Sequence, residues 1–177
     1  VEDKKNKKII GYASVFNSES ENLGGFFETI SPNAFDSVIT DEQDVRALFN
    51  HNPDYILGRT TSGTLQLSVD SKGLKYEIDT PDTQFARDLI TSMERGDITQ
   101  SSFGFTIGAE GDEWTEDTEG RTIRTINKVE NLYDISPVTY PAYTDASVAV
   151  RAYNSYKVNK EKTDYKKEQA DLHERNL

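Results

Sequence analysis

The segment TLQLSVDSKGLKYEID, residues 64–79, constrains the fold more than any other. Two runs alternate apolar and polar side chains, and Asp70, Ser71, Lys72 and Gly73 separate them, the pattern of a β-hairpin that buries one face. A lone hairpin is marginal in water, so other strands must cover it. The chain supplies them as KKIIGYASVFN, GGFFETI, DVRALFNH, ITQSSFGFTIGA, RTIRTINKVE, LYDISPVTY and SVAVRAY, short stretches rich in Val, Ile, Thr, Tyr and Phe. In DVRALFNH, Val45, Ala47 and Phe49 alternate with Arg46, Leu48 and Asn50, and His51 continues the first of those faces where the strand passes into a loop.

Helices are few. TPDTQFARDLITSMERGD spaces Phe85, Leu89 and Met93 four apart, with Thr80 or Asp82 as caps and Gly96 at the expected stop. Its apolar stripe reads as core packing. A shorter helical piece lies in SPNAFDSVI, where Ser31 and Pro32 form an N-cap and first-turn pair. Many strands with one or two helices predict a mainly β domain of the α+β kind, an antiparallel β-barrel or sandwich carrying a few helices. At 177 residues the chain fits one such domain, residues 9–153, between a basic lead (1–8) and a charged helix or tail (154–177).

The start VEDKKNKKIIGYA lacks the apolar stretch of a signal peptide, and no apolar run nears the ~18 residues of a membrane span. A cytosolic location is therefore expected. The chain has no Cys, which removes disulfides, thiolate-bound metals and cysteine nucleophiles. Its net charge is −11, and because both ends are slightly basic the body is more acidic still. Such a surface repels phosphate backbones and anionic lipid, so neither nucleic acid nor a membrane is expected as a partner. Metal chemistry finds no H-x-x-x-H or comparable spacing, and the acidic run EGDEWTEDTEG lacks the ligand positions of a calcium loop and reads as a solvated loop.

Nucleophilic chemistry remains. Of the two histidines, His173 lies in the charged tail and reads as a surface residue, which leaves His51 as the candidate base. In QSSFGF, Ser101 shares a strand face with Phe103, Phe105 and Ile107, while Ser102 shares the other with Gly104, a small neighbour where a substrate backbone can approach. The residues by themselves leave two readings open. In one, His51 and Ser102 are base and nucleophile; in the other, His51 bonds a loop carbonyl and the serines are ordinary strand residues.

Three blocks in order, LFNHNPDYILGRTTSGTLQLSVDSKGLKYEIDTPDT, RDLITSMERGDITQSSFGF and LYDISPVTYPAY, resemble those of the tailed-phage prohead maturation proteases. The resemblance runs from GYASVFN to SVAVRAY. It implies a serine endopeptidase with a fold similar to the herpesvirus assemblins, a β-barrel with helices packed around it, acting inside the procapsid in the host cytoplasm. It places the histidine of the NH block at His51 and the serine before FGF at Ser102. The acid of the third block falls on Asp134, where the family more usually carries Glu. Arg59 is a side-chain candidate for the oxyanion site, beside backbone N–H groups near Ser102. No cofactor is implied. The partners implied are the major capsid protein with its scaffold segments and a second copy of the chain in a homodimer or higher oligomer. The alternative function is a non-catalytic scaffold or capsid-assembly protein on the same fold.

Overall fold

The computed structural model describes the backbone of residues 7–140 and 146–175, with side chains described over 7–140 and 153–168. In chain order the elements are β1 (Lys8–Val15), β2 (Phe26–Ile30), α1 (Asp36–Thr40), β3 (Arg46–Phe49), β4 (Asn52–Arg59), β5 (Leu65–Val69), β6 (Gly73–Asp79), α2 (Gln84–Glu94), β7 (Gln100–Thr106), β8 (Asp112–Glu116), β9 (Thr122–Ile126), β10 (Asn131–Val138) and α3 (Ala146–Arg175). Mainly β structure with three helices is thus present among the described residues.

The hairpin that anchored the sequence reading is β5–β6, with Leu65 opposite Ile78 and Val69 opposite Leu74. Its turn is closed by Asp70, whose Oδ1 accepts the N–H groups of Lys72 and Gly73. The amphipathic helix is α2, which buries Ala86 and Leu89 and stops at Gly96, where φ is 82°. Its N-cap is Thr83, without a side-chain bond, rather than Thr80 or Asp82. The first helix also starts later than Ser31-Pro32 led one to expect, at Asp36.

Three sheets form, ordered β1-β6-β5, β4-β3-β10-β7 and β2-β9-β8. The expected closed antiparallel barrel is not found among the described residues. Two ladders, β10 with β3 and β2 with β9, are parallel, because the chain returns to these strands after long excursions and not through hairpins. β1 nears β7 without pairing with it, and the Tyr76 phenol stands at that junction. A Cβ on Gly11 of β1 would come within 2.6 Å of its hydroxyl oxygen, and the same hydroxyl bonds Ser101 of β7 at 2.8 Å.

Two further expectations are corrected. The acidic loop EGDEWTEDTEG contains strand β8, because Asp112 finds Arg124 on β9 at 2.7 Å and Trp114 packs at 5.1 Å on Phe26. SVAVRAY belongs to α3 and not to a strand. Its Val-Ala-Val alternation fits a strand, but the helix is secured by tertiary contacts further along: Tyr153 and Tyr156 stack on Trp114 at 5.9 and 5.1 Å, and Lys160 pairs with Glu116. α3 therefore crosses residue 153. The His173 side chain lies outside the described residues.

The main core gathers Phe35, Val45, Ala47, Leu57, Leu74, Tyr76, Ile78, Leu89, Leu132 and Ile135, all buried. It fills one side of the β4-β3-β10-β7 sheet. The other side of that sheet holds the polar residues described next.

Candidate active site

β3 and β4 are joined by Asn50 and His51 alone. Both have left-handed backbones, with φ of 53° and 56°. A two-residue hairpin turn of the type I′ family demands positive φ at both central positions, and Asn and His tolerate that region better than most side chains. The turn is tied to the end of β10: the Asn50 N–H donates to the Pro137 carbonyl at 3.0 Å, and the Thr139 N–H donates to Asn50 Oδ1 at 2.8 Å. His51 thus sits on a tight, externally anchored turn and does not continue the strand face.

β10 supplies the carboxylate by means of a bulge. Leu132 and Ile135 both enter the core, although residues three apart on a regular strand face opposite ways. The ladder to β7 shifts register between Leu132 and Asp134, so Tyr133 takes up the extra residue and stays half exposed. Asp134 and Ser136 consequently share the non-core face, a re-aiming for which bulges are known. His51 Nδ1–H donates to Asp134 Oδ1 at 2.7 Å, and both side chains are 15% exposed. An ionised carboxylate only accepts, so this bond puts the neutral imidazole's proton on Nδ1 and leaves Nε2 as the basic nitrogen.

β7 supplies the serines. Ser101 faces the core with Phe103, which meets the Phe35 ring at 5.5 Å. Ser102 faces the other way, directly opposite Ser136 in the antiparallel ladder. Opposed Cβ atoms in such a ladder lie about 4.5–5.5 Å apart. Its hydroxyl bonds no described residue. Gly104 stands opposite Asp134, and a Cβ there would lie 2.4 Å from Asp134 Oδ2. The small residue beside Ser102 therefore makes room for the carboxylate, where the sequence reading had reserved the space for substrate.

Asp134 and Ser102 share one face of one sheet, and His51 is tied to that face through Asp134; no hydrogen bond joins His51 to Ser102 among the described residues. Arg59 is placed differently: its Nε and Nη2 donate to the two carboxylate oxygens of Asp44, both at 2.7 Å. Those bonds hold the Asp44 carboxyl down to about 2. Ser136 was not singled out from sequence, although it lies within the third block, two residues after Asp134. It is fully buried, its Oγ donates to Asp134 Oδ1 at 2.8 Å, and it accepts the His51 N–H at 3.2 Å. His51 Nε2 is buried with no hydrogen-bond partner, one of two such side-chain atoms among the described residues, the other being Thr83 Oγ1. A buried polar atom left unpaired costs about 1–3 kcal/mol, and native structures carry few of them.

The family model for the caudovirus prohead serine protease matches residues 1–161. The chain belongs to that family. Membership makes it a serine protease of bacteriophage capsid maturation by class. No curated protein and no solved structure matches the chain. No helix among the described residues is long and apolar enough to cross a membrane.

Proposed function

We propose that the chain is a serine endopeptidase of phage head maturation in which Ser102 is the nucleophile, His51 the general base and Asp134 the orienting acid. The substrates are scaffold segments of the major capsid protein, and the chain itself, inside the procapsid. The observation that carries this reading is the unpartnered, buried Nε2 of a histidine whose other nitrogen is fixed by a carboxylate, on the sheet face that presents Ser102.

In the reaction His51 Nε2 takes the Ser102 hydroxyl proton as Oγ attacks the scissile carbonyl. Asp134 stabilises the imidazolium that forms, and His51 then passes the proton to the leaving amine. Water, activated by the same nitrogen, releases the acyl group from Ser102. For the oxyanion, Arg59 is a poor source because Asp44 holds its fork. Backbone N–H groups beside Ser102 suit better, since β7 is the outer strand of its sheet and half of its backbone groups turn away from β10.

A fluorophosphonate probe followed by peptide mass mapping tests the assignment. The expected result is one label, on Ser102, absent from His51→Ala and retained by Ser101→Ala. Labelling of Ser101 or Ser136 would remove Ser102 from its role, and no labelling of a folded wild-type chain would favour the non-catalytic assembly reading.

A further inference from the structure

We propose that Ser136 is a positioning residue that locks the base and its carboxylate to each other, and that without it His51 does not hold its alignment with Ser102. The proposal rests on the assignment of His51 and Ser102 as base and nucleophile.

Three hydrogen bonds close a ring. The His51 N–H donates to Ser136 Oγ, the Ser136 hydroxyl donates to Asp134 Oδ1, and His51 Nδ1–H donates to the same Oδ1. Because one lone pair of Ser136 is taken by the His51 N–H, its proton has a defined direction, toward the carboxylate. The ring therefore fixes the backbone of His51, the rotamer of Asp134 and the plane of the imidazole together. Ser136 is not a second nucleophile, since it is fully buried and its proton is already committed to Asp134.

The need for such a lock comes from the turn. Asn50 and His51 both hold left-handed backbones, a conformation that persists in non-glycine residues when surrounding contacts impose it. The bonds from Asn50 to Pro137 and Thr139 anchor the turn to β10. Ser136 ties the backbone of the turn to the carboxylate that the His51 ring also meets, and it lies opposite Ser102 in the β10–β7 ladder. Strand pairing thereby keys the ring to the nucleophile. A misplacement of about 1 Å in such a constellation costs on the order of 10²-fold in rate.

The test uses the full chain and measures fluorophosphonate labelling of Ser102 over a range of probe concentrations. Ser136→Ala is expected to lower the maximal labelling rate by about 10–100-fold, on the scale set by that misplacement, while the half-saturating probe concentration stays within about twofold. The proton resonance of His51 Nδ1–H, far downfield in the wild type, is expected to broaden or vanish in the variant. A loss that appeared only in the half-saturating concentration, or an unchanged rate with an unchanged resonance, would overturn the proposal. Should Ser136→Ala fail to fold, amide exchange in the unaltered protein decides: a protected His51 N–H supports the ring, and exchange at the rate of an open turn contradicts it. Absence of wild-type labelling would instead sink the protease reading, and this proposal with it.

Discussion

Two buried polar clusters, one on each of two sheets, are built from the same kinds of group and end in different states. On the β2-β9-β8 sheet the Arg124 guanidinium donates to Asp112 at 2.7 Å and to Glu28 at 3.0 Å, and lies 5.4 Å over the Trp114 ring. Burial pushes the Glu28 carboxyl up, against the pull of Arg124. Every charge there has a partner. On the β4-β3-β10-β7 sheet, His51, Asp134 and Ser136 bond one another just as closely, yet Nε2 is left over. The first arrangement secures a sheet and the helix stacked on it. The second leaves one buried ring nitrogen without a hydrogen bond, as the proposed proton transfer from Ser102 requires.

Substitutions sharpen this contrast, beginning with the largest effect. His51→Ala should lower proteolysis by orders of magnitude, as removal of one member of a catalytic unit does, with a smaller stability loss than Arg124→Ala because Asp134 keeps its bond from Ser136. Arg124→Ala should do the reverse. It strands two buried carboxylates, for a loss of roughly 3–5 kcal/mol read by urea unfolding, with labelling per folded molecule unchanged. If Arg124→Ala abolished labelling of folded protein, the two clusters would not be separable.

Gly104→Ala tests the catalytic cluster without touching a reacting group. The new methyl would fall 2.4 Å from Asp134 Oδ2, so the carboxylate that holds the His51 ring must shift. A rate loss on the order of 10²-fold with a nearly unchanged melt is expected. The smallest effect is Glu28→Gln, expected to alter stability by about 1 kcal/mol or less, because Asp112 still meets the guanidinium. Its pH dependence carries the sign. The folded state holds the Glu28 proton more tightly than the unfolded chain does, so this group disfavours folding as pH rises through its raised value, and acidification into that window relieves the cost. The variant should lack that component in melts at pH values above the ordinary carboxylate range.

The β5–β6 hairpin and α2 were legible because each carries its own period and its own stop, at Gly73 and Gly96. β4 was not legible as a strand: NPDYILGR carries a Pro at its second position and does not alternate, and the ladder to β3 is itself irregular at two places. The mark of this hairpin in the sequence is the Asn50-His51 pair, two residues that tolerate positive φ. The Ser101/Ser102 distinction followed from strand parity and holds, because β7 is regular there. Ser136 and the true role of Gly104 could not be read, since the bulge at Tyr133 shifts the parity of β10, and a bulge leaves no local mark in sequence. Barrel closure was out of reach for a similar reason. Which sheets join is a matter of packing and not of pattern.

Ser102 is the residue proposed to cut peptide bonds, and co-expression of the chain with the major capsid protein precursor tests this most directly. Wild type, Ser101→Ala and Ser102→Ala are compared on a gel of the capsid protein, beside a melt of each variant. The expected result is processed capsid protein with wild type, substantial processing with Ser101→Ala, and uncut precursor with a Ser102→Ala protein that melts close to wild type. Full processing by a folded Ser102→Ala chain would contradict the account.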